Sequence, residues 1–351
     1  MLEKRRYGAA LPASPLLAAA LTAAVCLSLW RLSSCPGPRG ARLVAPSYLL
    51  LLPGNASSLP PPYPMHKLAP DDLTTLIDVK DFSFQLNNFP CNASEGPPLL
   101  LVLVHSAPGN ADKRRAIRET WGRGALRVLF LLGAVQSAQA QRALEEENRL
   151  HRDLVQGRFV DSYRNMTYKH VMALKWTAYF CPGARYLLKT DDDVFVNSPA
   201  LLEFLSQELS PWGARRLILC EPYSFAYVKR SFRSKWRVSP LEYPGRTYPA
   251  YCSGWAVLYS PDVVFLLYRE AQRAEYFWID DVHVTGTLAA RANLTQTPLG
   301  SLVLSPAQLD ALSEGSEVGT FLFGSPNLSL DEIQRLWRLV QERRRTSVSA
   351  S

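Results

Sequence analysis

The stretch YLLKTDDDVFVN, residues 186–197, joins one apolar run to three consecutive aspartates and a second apolar run. The first run is typical of a strand that is buried on both faces of a sheet. Adjacent carboxylates repel one another and resist desolvation unless a cation or a set of hydrogen-bond donors compensates them. The stretch therefore predicts a buried strand that ends at a site for positive charge.

Segments of alternating type lie on the N-terminal side of this strand. The runs LLLVLVHSA (99–107) and RVLFLLG (127–133) predict further buried strands, and helical spacing occurs in residues 111–122 and 165–180. Strands that alternate with helices are typical of an α/β domain with a mostly parallel sheet. Ligands of such sheets bind at the carboxyl ends of the strands, which is where the aspartates are predicted to lie.

The spacing of the aspartates favours a metal site. Alternation along an extended segment predicts that Asp191 and Asp193 face one side and Asp192 the other. Two such carboxylates can bind one hard divalent cation, which can bridge the two phosphates of a nucleotide. The alternative is a solvated acidic turn, or an N-cap for a helix near residues 200–209. A calcium loop is disfavoured because its oxygen ligands are spaced more widely.

The first thirty residues predict a membrane anchor. Lys4, Arg5 and Arg6 precede an uncharged stretch, residues 7–30, that is long enough to cross a bilayer with the rest of the chain on the luminal side. A cleaved signal peptide is the alternative. A stretch rich in proline and small residues follows and predicts a stem. The predicted organisation is a cytoplasmic tail (1–8), a signal-anchor span (9–31), a luminal stem (32–97), a catalytic domain (98–310) and a C-terminal extension (311–351).

Sequons and cysteines agree with a luminal location. Five N-x-S/T sequons occur, at Asn55, Asn92, Asn165, Asn293 and Asn327. Six cysteines are present: Cys26 in the predicted span, Cys35 just outside it, and Cys91, Cys181, Cys220 and Cys252. The last four allow three disulfide connectivities, whereas Cys35 is predicted to be unpaired or to join two chains. Zinc is disfavoured because no C-x-x-C occurs.

The net charge of +8 alone does not indicate a nucleic-acid partner, because no basic stripe with interleaved aromatic residues accompanies it.

Five motifs in order carry a family resemblance: RRAIRETWG (114–122), FVDSYRNMTYKHVMALKW (159–176), YLLKTDDDVFVN (186–197), YPAYCSGWAVLYS (248–260) and IDDVHVTG (279–286). Together they resemble the luminal β-1,3-galactosyltransferase and β-1,3-N-acetylglucosaminyltransferase family over roughly residues 99–291. The resemblance implies a GT-A-type fold, a UDP-sugar donor, Mn²⁺ held by Asp191 and Asp193, and inversion at the anomeric carbon.

Inverting transfer requires a general base for the acceptor hydroxyl, and the resemblance assigns this role to Asp281. Asp280 is predicted to orient the site, and the alternative is that both aspartates only cap a helix. No histidine follows His283, so a third protein ligand for the metal is left open, and a surface or packing role is expected for His283 itself. Six residues are predicted to contact the donor: Arg114, Arg118, Asp161, Lys169, Asp192 and Trp255.

The arginine predictions have an alternative, and the tryptophan prediction rests on its small neighbours. Arg114 and Arg118 share a helix face at four-residue spacing, where a structural ion pair is the competing interpretation. The small residues Ser253 and Gly254 let the backbone and the face of Trp255 approach a sugar.

The predicted protein is a single-pass type II enzyme of the Golgi membrane that transfers a hexose, galactose first, from a UDP-sugar to the 3-hydroxyl of a glycan on a glycoprotein or glycolipid. N-acetylglucosamine is the alternative sugar, and a catalytically silent glycan-binding relative is the alternative class. A homodimer is considered, and no nucleic-acid partner is expected. A metal-dependent phosphatase is disfavoured because neither a histidine set nor a nucleophilic aspartate motif is evident.

Overall fold

The computed structural model of the protein describes residues 48–50, 63–91, 96–124, 126–316 and 318–350. The predicted cytoplasmic tail and span lie outside these residues, as do Cys26, Cys35 and the sequons at Asn55 and Asn92. In the part of the chain that the structure describes, no helix is both long enough and apolar enough to cross a membrane.

Ten strands are found among the described residues. In chain order they are β1 (Leu49–Leu50), β2 (Phe84–Leu86), β3 (Leu100–His105), β4 (Arg127–Ala134), β5 (Leu154–Val160), β6 (Tyr186–Asp191), β7 (Ala214–Arg215), β8 (Ile218–Tyr223), β9 (Tyr251–Tyr259) and β10 (Thr297–Pro298). Eight of them form one sheet in the order β10-β8-β9-β6-β3-β4-β5-β2, and β1 pairs with β7 separately.

The centre of the large sheet is parallel, as the sequence predicts. Strand β3 pairs in parallel with β4 and β6, and β4 pairs in parallel with β5. Strand β9 is antiparallel to both of its neighbours, β6 and β8. In the β3–β6 pair His105 lies opposite Asp191, so the carboxyl ends of these two strands lie side by side.

The helices follow the predicted alternation. They are α1 (Ala111–Glu119), α2 (Ala138–His151), α3 (Met166–Phe180), α4 (Ser198–Phe204), α5 (Pro261–Ala271), α6, which is a π-helix at Asp281–Leu288 and an α-helix at Ala289–Arg291, α7 (Pro306–Ser313) and α8 (Leu330–Ala350). A π-helical turn, Leu205–Leu209, extends α4. Helix α3 is buried along most of its length, so it lies inside the domain rather than on its surface.

Both faces of the sheet are covered, which is why its central strands are continuously apolar. Along β3, Leu101 and Leu103 enter a core formed with α3, α5 and α6, whereas Val102 and Val104 enter a second core on the other face. This alternation is the period-two geometry of a strand.

The domain extends beyond both predicted limits. Tyr63, Leu76 and Phe82 are buried in the first core, and β2 forms an edge of the sheet, although the sequence analysis assigns this segment to the stem. At the other end, Ile333 and Leu336 of α8 are buried in the second core. The predicted limits of 98 and 310 are therefore too narrow, because apolar residues on both sides of them complete the two cores.

A buried polar network holds the N-terminal segment against the helices. The carboxylate of Asp72 accepts hydrogen bonds from Tyr179 of α3 (2.7 Å), from Tyr268 of α5 (2.5 Å) and from Gln272 (2.9 Å). Lys175 lies 3.7 Å from the same carboxylate and is fully buried. Burial lowers the pKa of Lys175 to about 8.

Two disulfides select one of the three connectivities left open by the sequence. Cys91 pairs with Cys181 at the end of α3, and Cys220 of β8 pairs with Cys252 of β9. The Cys252 end of the second bond lies within β9, two residues before Gly254, so it fixes the strand that leads to the candidate site.

Candidate functional site

The aspartates lie at the carboxyl end of β6, as predicted, but their expected alternation is wrong. The strand ends at Asp191, and Asp192 and Asp193 lie in a turn. The ammonium of Lys113, on α1, contacts Asp192 Oδ1 at 3.0 Å and Asp193 Oδ2 at 3.1 Å. These two neighbours therefore share one cation, because the turn removes the period-two geometry of the strand.

Asp192 joins the aspartate turn to the start of α1. Its Oδ2 accepts hydrogen bonds from Ser106 Oγ at 2.7 Å and from Asn110 Nδ2 at 2.8 Å. Its side chain is only 7% exposed. The carboxylate predicted to contact a donor is thus already used to hold the ends of β3 and β6 against the helix.

Asp191 is the more open carboxylate, with its side chain 35% exposed. Its Oδ1 lies 2.8 Å from the ammonium of Lys189, which also donates to the carbonyl oxygen of Gly254. Burial lowers the pKa of Lys189, but the surrounding carboxylates outweigh burial, so its pKa lies above the ordinary value and the group is charged. Lys189 therefore links β6 to β9 and supplies a fixed cation beneath the site.

Asp281 lies against the backbone of β9. Its Oδ2 accepts a hydrogen bond from the Gly254 amide at 3.1 Å. A Cβ atom at Gly254 would overlap Asp281 Oδ1, so only glycine leaves room for the carboxylate. The β8–β9 pairing shifts its register between Cys220 and Glu221, and this irregularity is where Gly254 turns towards Asp281.

Asp280 faces the interior of the protein. Its Oδ2 lies 3.1 Å from Nδ1 of His170, a fully buried residue of α3. The other ring nitrogen of His170 lies 3.1 Å from the hydroxyl of Tyr259. Asp280 therefore has a buried partner of its own, and its role in orienting the site stays a prediction.

The pKa values of the two neighbouring aspartates are shifted in opposite directions. Burial raises the pKa of Asp281 well above its ordinary value, and the charge of Asp280 raises it further. Burial also raises the pKa of Asp280, but its hydrogen bond to His170 and the charge of Lys189 outweigh burial, so this pKa is lowered. A carboxylate pair with separated pKa values is typical of sites where one member exchanges a proton.

Asp191 and Asp193 suit a divalent cation whose remaining ligands come from a bound substrate. Among the described residues, no three His, Cys, Asp or Glu side chains are grouped closely enough to hold a metal by themselves. Asp191 and Asp193 are nevertheless part-exposed, at 35% and 28% of their side chains. Burial raises the pKa of Asp191, against the charge of Lys189, and the charges of Asp280 and Asp193 raise it further. Cations of this type commonly use one or two carboxylates together with substrate phosphates.

Arg114 is wrong as a direct donor ligand. Its side chain is fully buried and its guanidinium donates to both oxygens of Glu147, to Ser106 Oγ and to two backbone carbonyls. All five N–H groups are used, so it has no donor left for a nucleotide. The competing interpretation, a structural ion pair, is the one observed.

Arg118 is also wrong as a direct contact. It pairs with Asp153 at 2.7 Å and with Glu147 at 2.7 Å. Asp153 immediately precedes β5, so this pair lies at the amino ends of the parallel strands and away from the aspartate turn.

Asp161 and Lys169 are close together and form a brace across three strand ends. Their side chains lie 2.9 Å apart and both are largely buried. Lys169 also donates to the carbonyl oxygen of Ser106 after β3, and Asp161 accepts from the Gly133 amide of β4. They lie on the predicted edge of the sheet, where a role in shaping a donor site stays a prediction.

Trp255 and His283 are buried. The ring of Trp255 packs edge-on against Phe323 in the second core, with centroids 6.0 Å apart, so it offers no open face to a sugar. His283 lies on α6 and is buried. Its Nε2 has no hydrogen-bond partner among the described residues, and burial lowers its pKa to about 4. The expected packing role for His283 agrees with its burial.

Three further polar residues are part of the site although the sequence analysis does not assign them: Lys113, His170 and Lys189. The sequence offers evidence for a role of Lys189, because it is a lysine inside an otherwise apolar strand. It offers none for His170, because a histidine within an apolar helix is ordinarily a core residue.

Aromatic side chains flank the carboxylates. The indole of Trp236 donates to the hydroxyl of Tyr163 at 2.8 Å, and the Arg164 guanidinium lies 4.4 Å from the ring of Trp278. Tyr163 and Trp236 are 54% and 46% exposed. Burial raises the pKa of Tyr163 and the charges of Asp280 and Asp281 add to it, which places the phenol beside the site.

The chain is similar to several known proteins. The family model described as galactosyltransferase matches residues 112–299. Beta-1,3-galactosyltransferase 5 of Gorilla gorilla gorilla is 34% identical over 68% of this chain and 80% of its own, and UDP-GalNAc:beta-1,3-N-acetylgalactosaminyltransferase 1 of Sus scrofa is 35% identical over 58% of this chain and 63% of its own. Among solved structures, the galactosyltransferase LgtC in complex with donor and acceptor sugar analogues aligns over 69% of this chain and 95% of its own, at 10% identity and a TM-score of 0.35.

Proposed function

We propose, from the premise that this chain belongs to the galactosyltransferase family, that it transfers a hexose from a UDP-sugar to the 3-hydroxyl of a glycan and forms a β-1,3 linkage. Galactose is the first candidate for the hexose. The observation that carries the proposal is the Asp281 carboxylate, which is held by the Gly254 amide at the carboxyl edge of the sheet, with Lys189 and Asp191 beside it.

In the proposed reaction, Asp281 takes the proton of the acceptor 3-hydroxyl. The acceptor oxygen forms a bond to the anomeric carbon, while the bond from that carbon to the diphosphate oxygen breaks and UDP leaves with the electron pair. Attack from the face opposite to the leaving group inverts the anomeric centre. A raised pKa at Asp281 suits this step, because a carboxylate with greater proton affinity is a stronger base.

Asp191 and Asp193 are proposed to hold Mn²⁺ together with the diphosphate of the donor. The ion would supply positive charge to the leaving diphosphate. Lys113 neutralises Asp192 and Asp193 at the same turn, and it is 31% exposed, so it can move towards an incoming phosphate. These contacts support a diphosphate site at the turn that follows β6.

The aromatic flank of the site is proposed to receive the acceptor. Sugar rings stack on aromatic faces through their C–H groups, and Tyr163 and Trp236 offer part-exposed rings near Asp281. Lys235 lies 4.5 Å above the Trp236 ring and is available for acceptor hydroxyl groups.

The wider setting follows from the sequence and remains part of the proposal. A GT-A-type fold is supported by the mostly parallel sheet with its aspartates at a strand end. Residence in the Golgi membrane as a single-pass type II protein is supported by the basic and apolar N-terminal stretch and by the sequons. A homodimer joined through Cys35 is proposed on the same basis.

The test uses the full chain in detergent with UDP-galactose, UDP-N-acetylglucosamine and UDP-N-acetylgalactosamine, each with Mn²⁺ or with a chelator. UDP release and the product linkage are measured with a panel of glycan acceptors. We expect transfer of galactose in Mn²⁺, loss of transfer in the chelator, and a β-1,3 product by NMR. Transfer of N-acetylglucosamine alone, the alternative predicted from the sequence, would change the donor but keep the chemistry. N-acetylgalactosamine is included because one relative is named for its transfer. Binding of glycan without turnover of any donor would support the alternative class, a catalytically silent glycan-binding relative.

A further inference from the structure

We propose that His170 is a positioning residue, which holds Asp280 as an anion beside Asp281 and is itself fixed in one tautomer by Tyr259. The inference rests on the proposed function, because it concerns the proton transfer that is assigned there to Asp281. It adds a buried three-residue chain, Tyr259–His170–Asp280, to the groups that act on the acceptor.

The geometry defines the direction of each hydrogen bond in this chain. Tyr259 and His170 are fully buried, so neither exchanges its partner for water. Burial raises the pKa of Tyr259, which keeps its hydroxyl protonated and able to donate to His170 Nε2, 3.1 Å away. The remaining ring nitrogen, Nδ1, then carries the hydrogen and donates it to Asp280 Oδ2 at 3.1 Å. An ionised carboxylate can only accept, so Asp280 and the phenol together favour the tautomer that carries its hydrogen on Nδ1.

Helix α3 holds the same segment at a second point. Thr167, three residues before His170 and on the same face of the helix, donates from Oγ1 to the carbonyl oxygen of Phe277 at 2.6 Å. One helix face therefore fixes the backbone at Phe277 and the carboxylate at Asp280. The chain enters α6 at Asp281 directly after these two anchors.

The surroundings of His170 favour the neutral ring. His105 packs edge-on against it from β3, with ring centroids 5.4 Å apart, and the ammonium of Lys189 lies on β6. Burial lowers the pKa of His170, its bond to Asp280 opposes this, and the charge of Lys189 lowers the pKa further. The other titratable groups near these three residues are Lys169, Asp191, Asp281 and His283.

A neutral His170 affects Asp280 differently from a protonated His170. It stabilises the anionic form of Asp280 without cancelling its charge, and that charge remains beside Asp281. If the Nδ1 donor is lost, the anion of Asp280 is less stabilised, so Asp280 binds a proton more readily. Asp281 then loses the adjacent negative charge, ionises at lower pH and becomes a weaker base.

The kinetic test compares His170→Gln, Tyr259→Phe and the control Tyr186→Phe in the full chain. A glutamine side chain reaches the position of the histidine Nε2 but not that of Nδ1. Tyr186 is a fully buried tyrosine whose hydroxyl donates to the Ser210 carbonyl oxygen, away from Tyr259, His170 and Asp280. For His170→Gln we expect kcat to fall about 10- to 100-fold, KM for the donor to change less than about twofold, and the acid limb of the kcat–pH profile to move to lower pH by about one unit. Tyr259→Phe should act in the same direction with smaller size, and Tyr186→Phe should leave the profile unchanged.

A purely structural role would lower kcat equally at every pH, and an unmoved acid limb in both variants would overturn the inference. Should His170→Gln fail to fold, Tyr259→Phe still decides, because it retains the ring. NMR of the wild-type protein labelled with ¹⁵N-histidine gives a readout besides activity, with His170 expected as the neutral Nδ1–H tautomer at neutral pH. An Nε2–H or doubly protonated His170 in an enzyme with normal transfer would overturn only this inference, whereas the absence of transfer from any UDP-sugar would overturn the proposed function.

Discussion

Gly254 and Asp281 fit each other so closely that the glycine amide binds the carboxylate and the missing side chain makes room for it. A methyl group at Gly254 would displace the carboxylate that is proposed as the base. We expect Gly254→Ala to lower kcat by about 100-fold, since a displacement of about 1 Å can have this effect. UDP affinity, measured by calorimetry, should change little.

Gly319 is the matched control for this substitution, because a Cβ atom there meets nothing within 4 Å. Gly319→Ala should retain normal kcat. Equal turnover in both alanine variants would mean that Asp281 can act from another position or is not the base.

The second prediction separates the two neighbouring aspartates. Asp281→Asn is nearly isosteric but cannot accept the acceptor proton, so kcat should fall by about two to four orders of magnitude with UDP-sugar binding retained. Asp280→Asn should have a milder effect, because Asp280 acts through its neighbour. Steady-state kinetics on both variants checks the order. An inactive Asp280→Asn beside an active Asp281→Asn would reverse the assignment.

The third prediction concerns the pH dependence of the wild-type enzyme. Burial raises the pKa of Asp281, and a protonated Asp281 cannot act as base, so kcat should fall as the pH drops below this raised value. The acid limb should therefore lie at higher pH than an ordinary aspartate would give. A kcat that stays constant down to about pH 4, the ordinary range for this side chain, would contradict it.

The fourth prediction tests the metal ligands. Asp193→Ala should abolish the Mn²⁺-dependent part of UDP affinity and leave the fold intact, since this part-exposed side chain packs little. Asp112→Ala is the control, because Asp112 is an exposed acid of α1 that pairs with Arg115. Calorimetry with and without Mn²⁺ measures both. Unchanged Mn²⁺-dependent UDP binding in Asp193→Ala would favour the alternative that the aspartates form only a solvated turn.

The fifth prediction concerns the Cys220–Cys252 bond, which closes a loop of 32 residues beside the site. Replacing both cysteines by serine should lower the free energy of unfolding by about 3–4 kcal/mol, because the unfolded chain regains loop entropy. Denaturant unfolding measures this change, and peptide mapping without reductant should recover the Cys220–Cys252 and Cys91–Cys181 pairs. Recovery of any other pairing would contradict the observed connectivity.

The general architecture could be predicted because it depends on local patterns. The apolar run of residues 99–104 before His105 and the strand that ends at Asp191 carry their own periodicity, and this was enough to predict a parallel sheet with acids at a strand end. The alternation predicted for the aspartates failed at Asp192, because the strand stops one residue earlier and a turn has no period of two.

The partners of the site residues could not be predicted, because they come from distant parts of the chain. Arg114 meets Glu147 and His170 meets Asp280 only after the helices have packed on the sheet. A sequence gives the spacing of Arg114 and Arg118 on one helix face but not which acids face them. The predicted end of the stem failed for a related reason, since nothing local to Tyr63 reveals the core that it enters.

The docking of residues 63–91 on the domain determines where the chain can be shortened for soluble expression. A truncated enzyme that starts at residue 98 would lack the edge strand β2 and the Asp72 carboxylate, and it would leave Lys175 without its carboxylate partner and Cys181 as a free thiol. Such a chain should aggregate through its open sheet edge or form mixed disulfides during secretion. A secreted form that begins before Tyr63 retains the whole network and should be recovered as a monodisperse protein.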